Sequence, residues 1–273
     1  MRTYYHRVQE GFSFALGEHQ QLLFTSIVAG FILAFRKWGV EEFNFLAGFF
    51  NTILAFIVVL GSLYLHVAAQ KLAGLKVGYF PQYRAYPTLL TIGFILAFFT
   101  NGIIPFFPPG CLHIETNERM RLGKLRKGYT MWEASHVTFA GPLANIVLAA
   151  ILGLVYQIIP LSIIYTVITI NLLIAVYAML PIPQFYMPSK EQVKSMSGQL
   201  VTGGNPLYNL QFREGGPVGL FIFMHSRIFF VLLLSLVVFY AGLIYTVNVF
   251  AIFLAFILSL VTTVIYYYLA EKS

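Results

Sequence analysis

The sequence predicts an all-α polytopic membrane protein with about six transmembrane helices and one re-entrant segment. The chain has 273 residues, of which 59% are apolar and only 10% charged, whereas a soluble protein carries about 25% charged residues. Several apolar segments exceed the roughly 18 residues that indicate a transmembrane helix. The apolar segments occupy residues 21–35, 44–73, 86–107, 137–159, 161–183, 218–241 and 243–269.

Segment 86–107 differs from the others because Asn101, Gly102 and Pro105 interrupt it near its end. Non-helical backbone inside a membrane is tolerated only where protein or water covers it. If this segment spans, Lys and Arg divide 5 to 11 between the two sides; if it enters and leaves on one side, they divide 14 to 2, leaving aside Arg227. The positive-inside rule therefore favours a re-entrant segment in a multi-pass cell-membrane protein with both termini cytoplasmic.

The composition also limits partners and chemistry. The net charge of +7 is explained by basic cytoplasmic loops, so the predicted partner is the lipid bilayer and not nucleic acid. Five basic residues within 118–129 are typical of such a loop, and contact with anionic lipid is the sharper interpretation. A single cysteine, Cys111, excludes an internal disulfide and an all-cysteine metal site. All ten acidic residues are glutamates, which excludes any mechanism that needs aspartate.

The stretch "GSLYLHVAAQKLAG", residues 61–74, places His66 and Gln70 four residues apart on one helical face. This is the spacing of H-E-x-x-H, in which two histidines bind zinc and the glutamate activates a zinc-bound water. Here Val67 stands at the glutamate position and Gln70 at the second histidine. Taken alone, the stretch favours a histidine held by a local hydrogen bond.

Two later stretches carry turn residues at the ends of apolar segments. "FAGPLANIVLAAILGL", 139–154, opens a segment with Gly141 and Pro142 and places Asn145 one turn further on. Proline suits a first helical turn, and small residues permit close helix packing. "AMLPIPQFYMPSK", 178–190, closes a segment with two prolines, Pro181 and Pro183.

In this order the three stretches resemble the site-2 protease family of intramembrane zinc metalloproteases, most closely its archaeal members. The family pattern is H-E-x-x-H, then a G-P-x-x-N type motif, then a P-x-P-x-x-D-G type motif whose aspartate is the third zinc ligand. The likeness runs from about residue 21 to 241. It implies an N-terminal interfacial segment at 1–20, a site-2-protease-like membrane domain at 21–241, and a C-terminal transmembrane helix and tail at 242–273.

The resemblance keeps the first zinc ligand, His66, and loses the other parts of the zinc site. Val67 replaces the general base, Gln70 replaces the second ligand, and Tyr186 stands at the third-ligand aspartate. It therefore implies a catalytically inactive family member without a metal cofactor, which binds or regulates transmembrane segments of other proteins. The residues implied for its substrate groove or scaffold are Gly141, Pro142, Asn145, Pro181 and Pro183.

Two alternatives stay open. His113 and His136 could join His66 in a rebuilt zinc site, with Glu133 as the base, which would make the chain an active intramembrane zinc metalloprotease. The second alternative is a small channel or transporter. It requires polar residues that line several spans, and such residues are sparse in the apolar segments.

Overall fold

A computed structural model describes residues 4–39, 42–116, 131–180, 222–223, 226–243 and 249–271 of the chain. These residues form eight helices and two short strands. In chain order they are α1 (Tyr4–Gly11), α2 (Leu16–Ala34, continued by a 3-10 turn at Phe35–Trp38), α3 (Phe45–Val77), β1 (Tyr79–Arg84), α4 (Pro87–Phe99), β2 (Cys111–Thr116), α5 (Met131–Ile158), α6 (Ser162–Met179), α7 (Arg227–Leu243) and α8 (Val249–Tyr266, continued by a π turn at Tyr267–Glu271).

The helices confirm the prediction of an α-helical membrane protein. Among the described residues, five stretches are long and apolar enough to cross a membrane, whereas α4 and α7 are apolar but shorter. The number of spans stays a prediction. The five stretches are Leu16–Trp38, Phe45–Val77, Ser135–Ile158, Ser162–Met179 and Ile252–Ala270.

Side chains define where α2 and α3 begin. The Glu18 carboxylate accepts the backbone N–H of Ala15 at 2.8 Å, and α2 therefore starts five residues before the predicted apolar segment. At the start of α3, the Asn44 side chain accepts the N–H of Ala47 at 3.0 Å. Such caps satisfy backbone donors that have no partner within the helix. α3 ends with Val77. The next residue, Gly78, caps the helix with a φ of 94°, which glycine adopts more readily than other residues.

The two strands were not part of the all-α prediction. β1 and β2 pair antiparallel, with Tyr79 opposite Thr116 and Arg84 opposite Cys111. The pairing therefore holds the two ends of the intervening chain, residues 85–110, side by side. A segment that enters and leaves a membrane on the same side requires this arrangement.

The distance that this segment covers can be measured along α2. At its start, the N–H of Ala85 donates to the Gln21 side chain at 2.9 Å. At its turn, Gly102 lies against Phe35 and Arg36. Fifteen residues separate Gln21 from Arg36 along the helix, which corresponds to roughly 22 Å at 1.5 Å per residue. The segment therefore follows most of the length of α2, and its turn lies at the end of α2 that carries Arg36.

Residues 103–110, which we call the return limb, run back from this turn to β2 without helical hydrogen bonds. Pro105, Pro108 and Pro109 have no backbone N–H, so three potential unpaired donors are absent. The Tyr177 hydroxyl of α6 donates to the carbonyl of Pro105 at 2.7 Å, and the Tyr83 hydroxyl donates to that of Pro109 at 2.6 Å. Tyrosines thus bind two carbonyls that have no helical donor.

Candidate functional site

The structure brings His66 and Gln70 of α3 against α5. The Gln70 amide nitrogen lies 3.2 Å from His66 Nε2 and 3.5 Å from the carbonyl oxygen of Thr138. Because the carbonyl can only accept, the amide NH₂ faces both groups and donates to them. His66 Nε2 is then the acceptor, and the ring proton of the neutral imidazole is on Nδ1.

Pro142 explains why the carbonyl of Thr138 is available to Gln70. The sequence suggested a first-turn proline, but α5 begins at Met131 and Pro142 lies inside the helix. A proline has no N–H to donate to the carbonyl four residues earlier. That carbonyl belongs to Thr138, and the Gln70 amide takes the place of the missing helical donor.

Gly141 permits the close approach of α5 to α3. A Cβ at this position would overlap the His66 imidazole and lie 2.7 Å from the Gln70 amide nitrogen. Asn145 follows one turn later and is fully buried. Two of the three predicted stretches therefore meet in the structure. We call His66, Gln70, Thr138 and Asn145 the polar seam.

The polar seam has hydrogen-bonding atoms without partners. Within the described part of the chain, His66 Nδ1 and both side-chain polar atoms of Asn145 are buried and have no partner at hydrogen-bonding distance, although the Asn145 side chain lies near the His66 ring. The side-chain oxygen of Asn171, on the neighbouring α6, is likewise unpartnered among these residues, although its Nδ2 donates to Val167. Such atoms are rare in folded proteins. The seam therefore holds hydrogen-bonding capacity that the described residues do not use.

Val67, at the position of the family's general base, belongs to the apolar core. It is fully buried and lies in one cluster with Leu63 of α3 and Ile174 of α6. The cluster also includes Phe107 of the return limb. The valine side chain has no group that can move a proton, and its neighbours are apolar.

A second buried polar group, which we call the ion-pair node, lies beside the polar seam and was not predicted. Lys71 Nζ is 3.0 Å from each carboxylate oxygen of Glu18. The same carboxylate accepts the backbone N–H groups of Ala15 and Tyr83, both at 2.8 Å. The node thereby joins α2, α3 and β1. A lysine inside the apolar segment 44–73 was the available sequence signal, because a charge there needs a partner.

The structure does not bring His136 to His66. Gly141 is the residue of α5 that faces His66. His136 lies five residues before it, which places His136 about 140° away around the helix. The His136 ring instead packs edge-on against Phe229 of α7, with centroids 5.2 Å apart. His113 lies in β2 opposite Gln82, and its side chain is outside the described residues.

The described residues around His66 do not fit a catalytic zinc site. Such a site needs three protein ligands, from imidazole, thiolate or carboxylate groups, whereas the seam offers one imidazole and neutral amides. Among the residues that the structure describes, no three His, Cys, Asp or Glu side chains are grouped to hold a metal. Burial raises the pKa of the Cys111 thiol to about 11, which makes the loss of its proton on metal binding more costly.

Three predicted site residues, Pro181, Pro183 and Tyr186, lie outside the described residues. The end of α6 that precedes them packs close to α3, because Ile174 and Tyr177 share the apolar cluster of Val67.

Comparison with models of known protein families, with characterised proteins and with solved structures found no match.

Proposed function

We propose that this chain is a catalytically inactive relative of the site-2 proteases that binds transmembrane segments of other proteins. The observation that carries the proposal is the polar seam. Its residues His66, Gln70 and Asn145 come together with Gly141 between two apolar helices. The resemblance assigns the same positions to the reaction centre of active proteases.

The chemistry of the seam supports an inactive site. Gln70 donates to the ring nitrogen of His66 that points towards it, so this lone pair is occupied by a hydrogen bond. Val67 packs among apolar side chains. The Glu18 carboxylate near this part of α3 is bound by Lys71. No described group of the seam can act as a general base stronger than imidazole.

The seam also supports binding. Asn145 offers one donor pair and one acceptor, and His66 offers the Nδ1 proton, all buried and without partners in the described residues. A backbone amide exposed at a break in a partner's transmembrane helix offers the matching acceptor and donor. Such an amide gains more from this pairing in lipid than in water, since lipid offers it no alternative partner.

The test is zinc content and proteolysis of the purified full-length protein in lipid nanodiscs. We expect far less than one equivalent of zinc and no chelator-sensitive cleavage of a panel of transmembrane substrates. One equivalent of zinc that is lost in His66→Ala, together with cleavage that a chelator abolishes, would overturn the proposal.

A restored variant serves as the matched control. Val67→Glu, Gln70→His and Tyr186→Asp together return the family pattern to the chain, and zinc binding by this variant would show that the fold can present the ligands. Binding is measured separately by photo-crosslinking in the membrane from position 148, which is half-buried one turn beyond Asn145 on α5, so that Asn145 itself is retained. Crosslinks to lipid alone would contradict the binding part of the proposal.

A further inference from the structure

Basic side chains gather where α1 lies across the last turns of α3. The Tyr4 hydroxyl donates to the carbonyl of Leu72 at 3.3 Å, and Arg7 Nη1 donates to the carbonyl of Lys76 at 3.3 Å. These bonds fix α1 on the end of α3. They also place the Arg7 guanidinium beside the backbone of Lys76.

Among the side chains that the structure describes at this end of the molecule, positive charge exceeds negative charge. Arg84, at the end of β1, is exposed, as is Lys76, while Arg7 is half-buried. The C-terminal end of a helix supplies only about half a negative charge. The Glu18 carboxylate is buried and already bound by Lys71.

Arg7 retains the capacity to bind an anion. A guanidinium has five N–H donors, and one nitrogen of Arg7 is used on the Lys76 carbonyl. The remaining donors match the oxygens of a phosphate, to which arginine binds bidentately. Lys76, whose carbonyl Arg7 binds, is exposed and brings a second positive charge to this end of α3.

Exposed apolar side chains next to this charge indicate a lipid as the source of the phosphate. Phe12, which follows α1, is 39% exposed, and Leu72, whose carbonyl Tyr4 binds, is 36% exposed. Tyr5 is 71% exposed, and a tyrosine with an apolar ring and a polar tip is typical of the membrane surface. A dissolved phosphate ion would use the cations but not this apolar surface.

We propose that Arg7 and Lys76 bind the phosphate of an anionic phospholipid, whose acyl chains contact Phe12 and Leu72. The site would anchor α1 to the leaflet on the side where the positive-inside rule places both termini. This inference does not depend on the proposed function. Each basic residue is expected to contribute about five-fold to the affinity.

The test titrates the purified full-length protein in detergent with short-chain phosphatidylglycerol, and separately with phosphatidylcholine and with inorganic phosphate. We expect saturable binding of phosphatidylglycerol, weaker binding of phosphatidylcholine, and no competition by equimolar inorganic phosphate. Arg7→Gln and Lys76→Gln should each weaken phosphatidylglycerol binding about five-fold. The matched controls Arg36→Gln and Lys37→Gln, at the opposite end of α2, should leave it unchanged.

Lys76→Gln keeps the test decisive if Arg7→Gln detaches α1. The bond from Arg7 is made to the backbone carbonyl of Lys76, which the substitution retains. Unchanged binding in Lys76→Gln would overturn the proposal. Equal losses in the control variants, equal affinity for phosphatidylcholine, or displacement by inorganic phosphate would overturn it as well.

Discussion

Two buried polar clusters include adjacent residues of α3, Gln70 and Lys71, and differ in how completely they are hydrogen-bonded. In the ion-pair node both charges are paired, because the Glu18 carboxylate binds the Lys71 ammonium group and two backbone N–H groups. The polar seam around Gln70 leaves His66 Nδ1 and both polar atoms of Asn145 without partners among the described residues.

This difference in hydrogen bonding distinguishes a structural network, the node, from a candidate binding site, the seam. A fully satisfied polar network rigidifies a fold, and the node accordingly joins three elements of the chain. An unsatisfied group costs stability, and the cost is understandable where another molecule supplies the missing partner. Mutations in the node should therefore reduce stability, whereas removal of the unpaired amide in the seam should affect binding only.

The largest effect is expected at Lys71. Lys71→Met leaves the Glu18 carboxylate buried without its counter-charge, which should lower the free energy of unfolding by about 3–5 kcal/mol. The measurement is an equilibrium SDS titration in mixed micelles. Lys76→Met, at an exposed position of the same helix, is the matched control and should change stability little. Equal stability of the two variants would show that the node does not hold the fold together.

Gly141→Ala should have the next largest effect, in the polar seam. The added methyl group overlaps the His66 imidazole and crowds the Gln70 amide, and overpacking of this kind costs about 1–3 kcal/mol. Gly61→Ala on α3 is the control, because a Cβ there meets no atom within 4 Å. It should stabilise the helix by about 0.5–1 kcal/mol. A wild-type melting temperature for Gly141→Ala would contradict the close approach of α5 to α3.

Tyr83→Phe tests the link between the node and the return limb. The variant keeps the aromatic ring but leaves the carbonyl of Pro109 without its donor, at a cost on the order of 1 kcal/mol. Hydrogen exchange of the amides in β2 should accelerate, because the return limb is attached less firmly. Exchange that increases equally in α8, which is remote from Tyr83, would point to general destabilisation instead.

The smallest effect on stability is expected for Asn145→Leu. Both polar atoms of Asn145 lack partners in the described residues, so a leucine of similar size removes a cost and should leave the free energy of unfolding within about 0.5 kcal/mol or raise it. Crosslinking to transmembrane segments should fall. A large loss of stability would mean that the amide has a structural partner, and the contrast with the node would fail.

The sequence predicted the helices and part of the site because both depend on patterns along the chain. Apolar runs of sufficient length identify spans, and the i, i+4 spacing places His66 and Gln70 on one face. The interrupted segment with basic residues on both of its flanks favoured a re-entrant path, which stays a prediction. Short-range signals were therefore sufficient for the helices and for the shared face of His66 and Gln70.

Pairing between distant residues was not predictable in the same way. Glu18 and Lys71 are 53 residues apart, and Tyr177 and Pro105 are 72 apart, so no local pattern joins them. The strands were missed because each has six residues and β1 contains Pro81, which argues against a strand by itself. The interior position of Pro142 was missed because the helix continues upstream into polar sequence.

The tyrosine bonds of the return limb have a consequence for the order of folding. The Pro105 carbonyl has no helical donor, and Tyr177, which bonds it, is synthesised 72 residues later. If the predicted re-entrant path is correct, this carbonyl has to stay in contact with water or with the insertion machinery until α6 has entered the bilayer. The predicted hairpin would then reach its final position only after a helix made later has arrived.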